Sequence, residues 1–129
     1  MPSLQDNDVL SRFAFDRRNH IRADGTSRSA LLKPKMGEAL SVYQTTEMAH
    51  PVICDHGHRY VDSPGRVHFG YVTLSCKDVR AEGLQPHYDN TTPRHVSIPF
   101  NVNDPERRLA LAQALASKAS LLQECSPVT

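Results

Sequence analysis

The chain carries seven histidines in 129 residues, and several of them stand close to cysteines, serines and arginines. Cys54, His56 and His58 occupy positions i, i+2 and i+4, with His68 and Cys76 further on. On an extended backbone the first three would project from one face. Imidazole nitrogen and thiolate sulfur are the donors zinc prefers, so Cys54, His56, His58 and His68 form a candidate tetrahedral site. Against it, the chain has no Cys-x-x-Cys or His-x-x-x-His pair, and Gly57 interrupts a strand at the critical point. Asp55-His56-Gly57-His58 therefore reads first as a polar turn, and zinc remains an alternative cofactor.

His95 and Ser97 lie two residues apart, so in a strand they share a face. There an imidazole could act on a phosphate as acid or base while a hydroxyl donates a hydrogen bond. His20 is a third candidate for the same chemistry, and Arg17, Arg18, Arg22, Arg28 and Arg94 could hold the anion, because guanidinium forks match phosphate oxygens. His95-Val96-Ser97 resembles one half of the His-x-Ser/Thr signature of two-histidine phosphoesterases, and the second half is absent. Residues 79–98, with Gly83-Leu84 ahead of Arg94-His95-Val96, are distantly similar to the core of RNA 2′-phosphotransferases and related ADP-ribosyl-transfer folds. Glycine-rich phosphate loops and Gly-x-Ser-x-Gly elbows are missing.

These side chains need a scaffold. The length suits one domain, here taken as residues 11–125 behind a flexible polar leader at 1–10. An apolar fraction of 39% with nine prolines and six glycines suggests a globular chain rich in turns. Residues 67–74 are rich in β-branched and aromatic residues, and residues 94–100 place Val96, Ile98 and Phe100 on one face, so both read as strands. Leu40-Ser41-Val42-Tyr43-Gln44 alternates likewise, and Pro51-Val52-Ile53-Cys54 is a shorter candidate. Residues 12–32 suggest a hairpin turning at Asp24-Gly25. A short helix is expected at about 75–82, capped by Ser75 and stopped by Gly83. Asp104 and Pro105 open a longer helix whose stripe of Leu111, Leu115, Ala119 and Leu122 must be covered. The predicted class is α+β: a small, mostly antiparallel sheet covered by a long C-terminal amphipathic helix.

Net charge is only +1, but residues 12–35 hold seven basic side chains against two acidic ones. That stretch is the one place where nucleic acid could dock. Three cysteines without close pairing make a poor disulfide framework and suggest a reducing, cytoplasmic setting. No apolar run reaches the roughly 18 residues needed to cross a bilayer, so no membrane association is expected.

His20-Ile21-Arg22-Ala23-Asp24-Gly25-Thr26, then Leu40-Ser41-Val42, Gly83-Leu84 and Pro93-Arg94-His95-Val96-Ser97-Ile98 resemble, in that order, a group of small bacterial proteins without an established activity. The resemblance implies a bacterial cytoplasmic domain and transfers no catalytic residue. The leading expectation is a binding or accessory domain whose ligand is unknown, with a protein partner or a second copy as plausible company. The alternatives are a phosphate- or nucleotide-directed enzyme using His95, and a zinc-containing nucleic-acid binder.

Overall fold

A computed structural model describes residues 3–89 and 91–126. Its centre is a six-stranded antiparallel sheet in the order β4-β5-β2-β1-β3-β6. The strands are β1 (Val9–Ala14), β2 (Leu40–Gln44), β3 (Gly70–Ser75), β4 (His87–Tyr88), β5 (His95–Ile98) and β6 (Gln123–Glu124). Among the described residues four helices join them: α1 (Arg17–His20), α2 (His50–Tyr60), α3 (Cys76–Ala81) and α4 (Pro105–Lys118). A 3-10 turn covers Ser29–Leu32. The α+β class is as expected.

Alternation along the strands divides the interior in two. One face of the sheet carries Leu10, Ala14, Leu40, Val42, Val72, Leu74, Val96 and Ile98, which pack with Leu31, Leu32, Val79, Ala112 and Leu115 from the 3-10 turn, α3 and α4. The other carries Phe13, Tyr43 and Tyr71, which pack with Ile53 and Cys54 of α2 and with Cys125. The second layer was not foreseen. Residues 51–54 read as a short strand and 55–58 as a polar turn, yet both lie in α2, with Pro51 in its first turn, where the missing N–H costs nothing. Its buried residues Ile53, Cys54, His56 and Gly57 follow helical spacing once the glycine is counted as a contact.

Local signals elsewhere act as expected. The Ser75 hydroxyl accepts the N–H of Asp78, and Gly83 takes a φ of 80° beyond α3. Asp104 accepts the N–H of Glu106 at the start of α4. That helix ends at Lys118, so Ala119 and Leu122 continue the apolar stripe from extended chain. The proposed hairpin over residues 12–32 reduces to one bridge, Ile21 to Ser27, around Gly25. β1 pairs instead with β2 and β3. Of the leader at 1–10, Leu4 is buried and Val9 and Leu10 belong to β1, while Met1 and Pro2 lie outside the described residues.

The cysteine reading needs correction. Cys54 of α2 is disulfide-bonded to Cys125, 71 residues away, with their Cα atoms 5.6 Å apart. The odd thiol is Cys76, fully buried at the start of α3 and pushed up to about 11 by that burial.

Candidate anion-binding site

The central sheet forks. β1 and β2 pair only at Leu10–Gln44 and Ser11–Tyr43. Beyond that point β1 stays with β3 as far as Ala14–Gly70, and β2 stays with β5 as far as Leu40–Ile98. Arg12 occupies the opening. It has the same parity as Leu10 and Ala14, an unusual place for a cation, and its guanidinium donates to the carbonyls of Leu31 at 2.9 Å and Ser41 at 3.0 Å. The bond to Ser41 joins the two prongs where the ladder stops, and the bond to Leu31 ties β1 to the 3-10 turn.

A cleft of about 680 Å³ opens at the fork, within the usual range for small-ligand pockets. Its lining includes Arg12, His20, Lys33, Lys35 and Arg66, with Glu38 as the lone carboxylate. Phe15, Tyr43 and Tyr60 add aromatic surface. Each cation is set by its own local structure. Pro64 and Gly65, with φ of 78° at the glycine, make the tight turn from Ser63 that delivers Arg66, whose guanidinium stacks 3.9 Å from the Phe15 ring centre. Lys33 and Lys35 flank buried Pro34. Their loop is held by Arg108 of α4, itself buried, which donates to the carbonyls of Pro34 at 2.8 Å and Lys35 at 3.1 Å.

The field in the cleft is positive. Burial first, and then the charge of Arg66, push Arg12 down to about 10. Burial likewise lowers His20 from its ordinary value, and Arg12 and Arg66 add to the effect against the opposing pull of Asp16. The Nδ1 of His20 accepts the backbone N–H groups of Phe15 at 3.2 Å and Asp16 at 3.3 Å. A nitrogen that accepts two N–H groups carries no proton, so the ring is held neutral with its hydrogen on Nε2. His20 thus offers a donor to an anion and is poorly suited to take up a proton.

The other expected residues fall elsewhere. His95 and Ser97 do share a face, but both turn to Asp89: His95 Nδ1 lies 2.5 Å from one carboxylate oxygen and the Ser97 hydroxyl 2.5 Å from the other. Burial opposes the charge on Asp89, yet hydrogen bonds from Ser97, Thr91 and His95 together hold its carboxyl far below the ordinary range. Serine donates here to the aspartate and not to the histidine, and a carboxylate held that far below its ordinary range is a poor base to activate its oxygen. The His95 ring packs against Tyr43 at 5.2 Å, and His95 does not line the cleft that holds His20.

Of the expected anion holders, Arg17 pairs with Glu124 and lies over Phe69. Arg22 donates to the Ser27 carbonyl and Arg94 to Gln44. Arg18 and Arg28 are exposed, and none of the five lines the cleft. Arg12, Lys33 and Lys35 belong to the basic stretch at 12–35, but Arg66, Tyr43 and Tyr60 carried no sequence signal. Arg12 was legible only as one cation of that stretch, and its inward position came from the structure.

The expected metal set is dispersed. Cys54 is in a disulfide, and on a helix positions i and i+2 do not share a face. His56 turns to Tyr43 and Tyr60, with ring centres 5.1 and 4.8 Å away. His58 and His68 do meet, rings 4.3 Å apart, around Asp62. Among the described residues, donor atoms converge in two groups: His58 with Asp62 and His68, and His50 with Cys54 and Cys125. Comparison with protein-family models, curated proteins and solved structures finds no match.

Proposed function

We propose that this protein is a binding domain for a phosphate-bearing small molecule, a nucleotide by preference, held in the cleft at the fork of the sheet. The observation that carries this reading is the cluster of four basic side chains, Arg12, Lys33, Lys35 and Arg66, around a cavity with Glu38 as its one carboxylate among the described residues. Arg66 disfavours the charge on Arg12. An anion between them would relieve that repulsion, in surroundings less screened than open solvent. The rings of Phe15, Tyr43 and Tyr60 supply a wall suited to a planar base. His20, neutral and donating from Nε2, favours binding over acid–base catalysis.

No helix among the described residues is long and apolar enough to cross a membrane. A disulfide persists best in an oxidising setting, so the cytoplasmic placement expected from the odd cysteine count loses that support.

Isothermal titration of the full chain with a nucleoside monophosphate, the matching nucleoside and inorganic phosphate tests the proposal. Binding of the monophosphate should weaken as salt rises, and Lys35→Ala and Arg66→Ala should each weaken it about tenfold, the loss of one charge-assisted hydrogen bond. Both side chains are exposed, so the fold should survive their loss. Binding of inorganic phosphate alone would narrow the ligand to the anion. Failure of every phosphate-bearing probe, or equal binding by both variants, would overturn the reading.

A further inference from the structure

We propose that the reduced chain holds a divalent cation of the zinc class on His50, Cys54 and Cys125, so that disulfide and metal are alternative occupants of one site. His50 and Cys54 stand at i and i+4 on α2, one turn apart on the same side of the helix. Cys125 arrives from the chain beyond β6 and reaches the same point. Two thiolates and an imidazole are a donor set that zinc binds well, and three protein donors leave a fourth position for water. His50 is exposed, so solvent reaches the group.

The geometry already matches on one of the two nitrogen-to-sulfur edges that the disulfide leaves free, and all three donor atoms lie within 4.8 Å of one another. His50 Nε2 lies 3.6 Å from Cys54 Sγ. With Zn–S near 2.3 Å and Zn–N near 2.0–2.1 Å, a tetrahedral site requires a nitrogen-to-sulfur edge of about 3.6 Å. The other ring nitrogen, Nδ1, lies 2.7 Å from the Tyr71 hydroxyl. A histidine that binds a metal through Nε2 is ordinarily oriented in this way, by a hydrogen bond from Nδ1 to an oxygen. A purely structural disulfide requires neither the imidazole beside it nor the tyrosine behind it. The second donor group is a weaker candidate, because both ring nitrogens of His58 are already bonded, to Asp62 and to the Ser126 carbonyl.

The exchange balances with a small dithiol as reductant. The dithiol gives two electrons and two protons, closing its own disulfide, and the Cys54–Cys125 bond breaks to give two thiols. Zinc then displaces those two protons and binds the thiolates together with neutral His50. In the reverse direction the small disulfide is the oxidant: it takes two electrons from the two thiolates and two protons from solvent to give the dithiol, and the re-formed Cys54–Cys125 bond releases the cation. The state of the site thereby reports the redox conditions around the protein, while either occupant keeps the C-terminal segment tied to α2.

The test uses untagged full-length protein titrated with Co²⁺, with the disulfide intact and after reduction by a non-coordinating phosphine with removal of excess reductant. The reduced protein should bind one equivalent, with tetrahedral d–d bands and a thiolate-to-metal charge-transfer band, and Zn²⁺ should displace the Co²⁺. His50→Ala should weaken binding at least tenfold, and Tyr71→Phe about tenfold, as loss of an orienting partner does. If the reduced chain loses its circular dichroism without metal, one equivalent of Zn²⁺ should restore it. Equal binding by the oxidised protein, unchanged affinity in His50→Ala, no charge-transfer band, or no recovery of a lost fold would each overturn the proposal.

Discussion

At the scale of single residues, the buried histidines make stability depend on pH. His20, His56 and His68 are all lowered from their ordinary value of 6.5, with burial the main cause in each case. Both ring nitrogens of His68 and the Nε2 of His56 are buried without a hydrogen-bond partner. The unfolded chain therefore takes up protons more readily at these sites, and stability present above pH 6.5 should be lost as pH falls below it. His58 acts in the opposite sense. Although burial works against its charge, Asp62 and the Ser126 carbonyl raise it overall, so its contribution is full below 6.5 and fades as pH climbs through the raised folded value. Three groups oppose one, and the urea midpoint should drop between pH 7.5 and 5.5. A midpoint that rises on acidification would contradict this balance. Asp89 governs a lower window: its contribution should be lost only as pH falls below the ordinary carboxylate value of 3.8. Asp89→Asn, which leaves His95 and Ser97 without their charged acceptor, should cost about 1–2 kcal/mol at neutral pH in chemical denaturation.

At the scale of elements, the approach of α2 to the sheet is tightly constrained. A Cβ at Gly57 would lie 2.5 Å from both His68 Nε2 and Phe13 Cε1. The helix accepts a poor helix former there because no other residue fits between it and β1. Gly57→Ala should destabilise by about 1–3 kcal/mol, as overpacking does, although alanine is the better helix former. A neutral or stabilising result would mean that α2 sits further from the sheet. Arg108 links two other elements, α4 and the loop of Lys33 and Lys35. Arg108→Met keeps much of the side-chain volume but removes those bonds. It should cost about 2 kcal/mol of stability, and ligand affinity at the cleft should fall as well, although Arg108 lies outside the cation cluster. Unchanged affinity in a folded variant would separate the loop's position from binding.

At the scale of the whole molecule, the disulfide closes a loop spanning most of the chain. Cys54 and Cys125 are 71 residues apart, and chain entropy predicts about 4 kcal/mol for a loop of that length. Replacing both by serine should lower the urea midpoint accordingly, and chelator should not change the result. α4 and the sheet core beneath it contain neither cysteine, so residual structure after loss of the bond should concentrate there.

Sequence alone determined the features that depend on near neighbours. Asp104 and Pro105 at the start of α4, Ser75 and Gly83 around α3, and the alternation of Val96 and Ile98 in β5 were all legible, because caps, turns and strand parity are settled within a few residues. The α+β class followed from those elements. The pairing of His95 with Ser97 was legible too, but not their shared attachment to Asp89, which comes from the preceding loop. Residues 51–58 were misread because their helical period runs through Gly57, whose burial becomes visible only when Phe13 and His68 are placed against it. Only the tertiary structure decided that β1 and β2 part after two rungs, that Arg66 and Lys35 line the same opening, and that Cys54 finds Cys125. Those outcomes depend on which distant strands pair and where the pairing stops. That competition between long-range contacts leaves no local trace in the sequence.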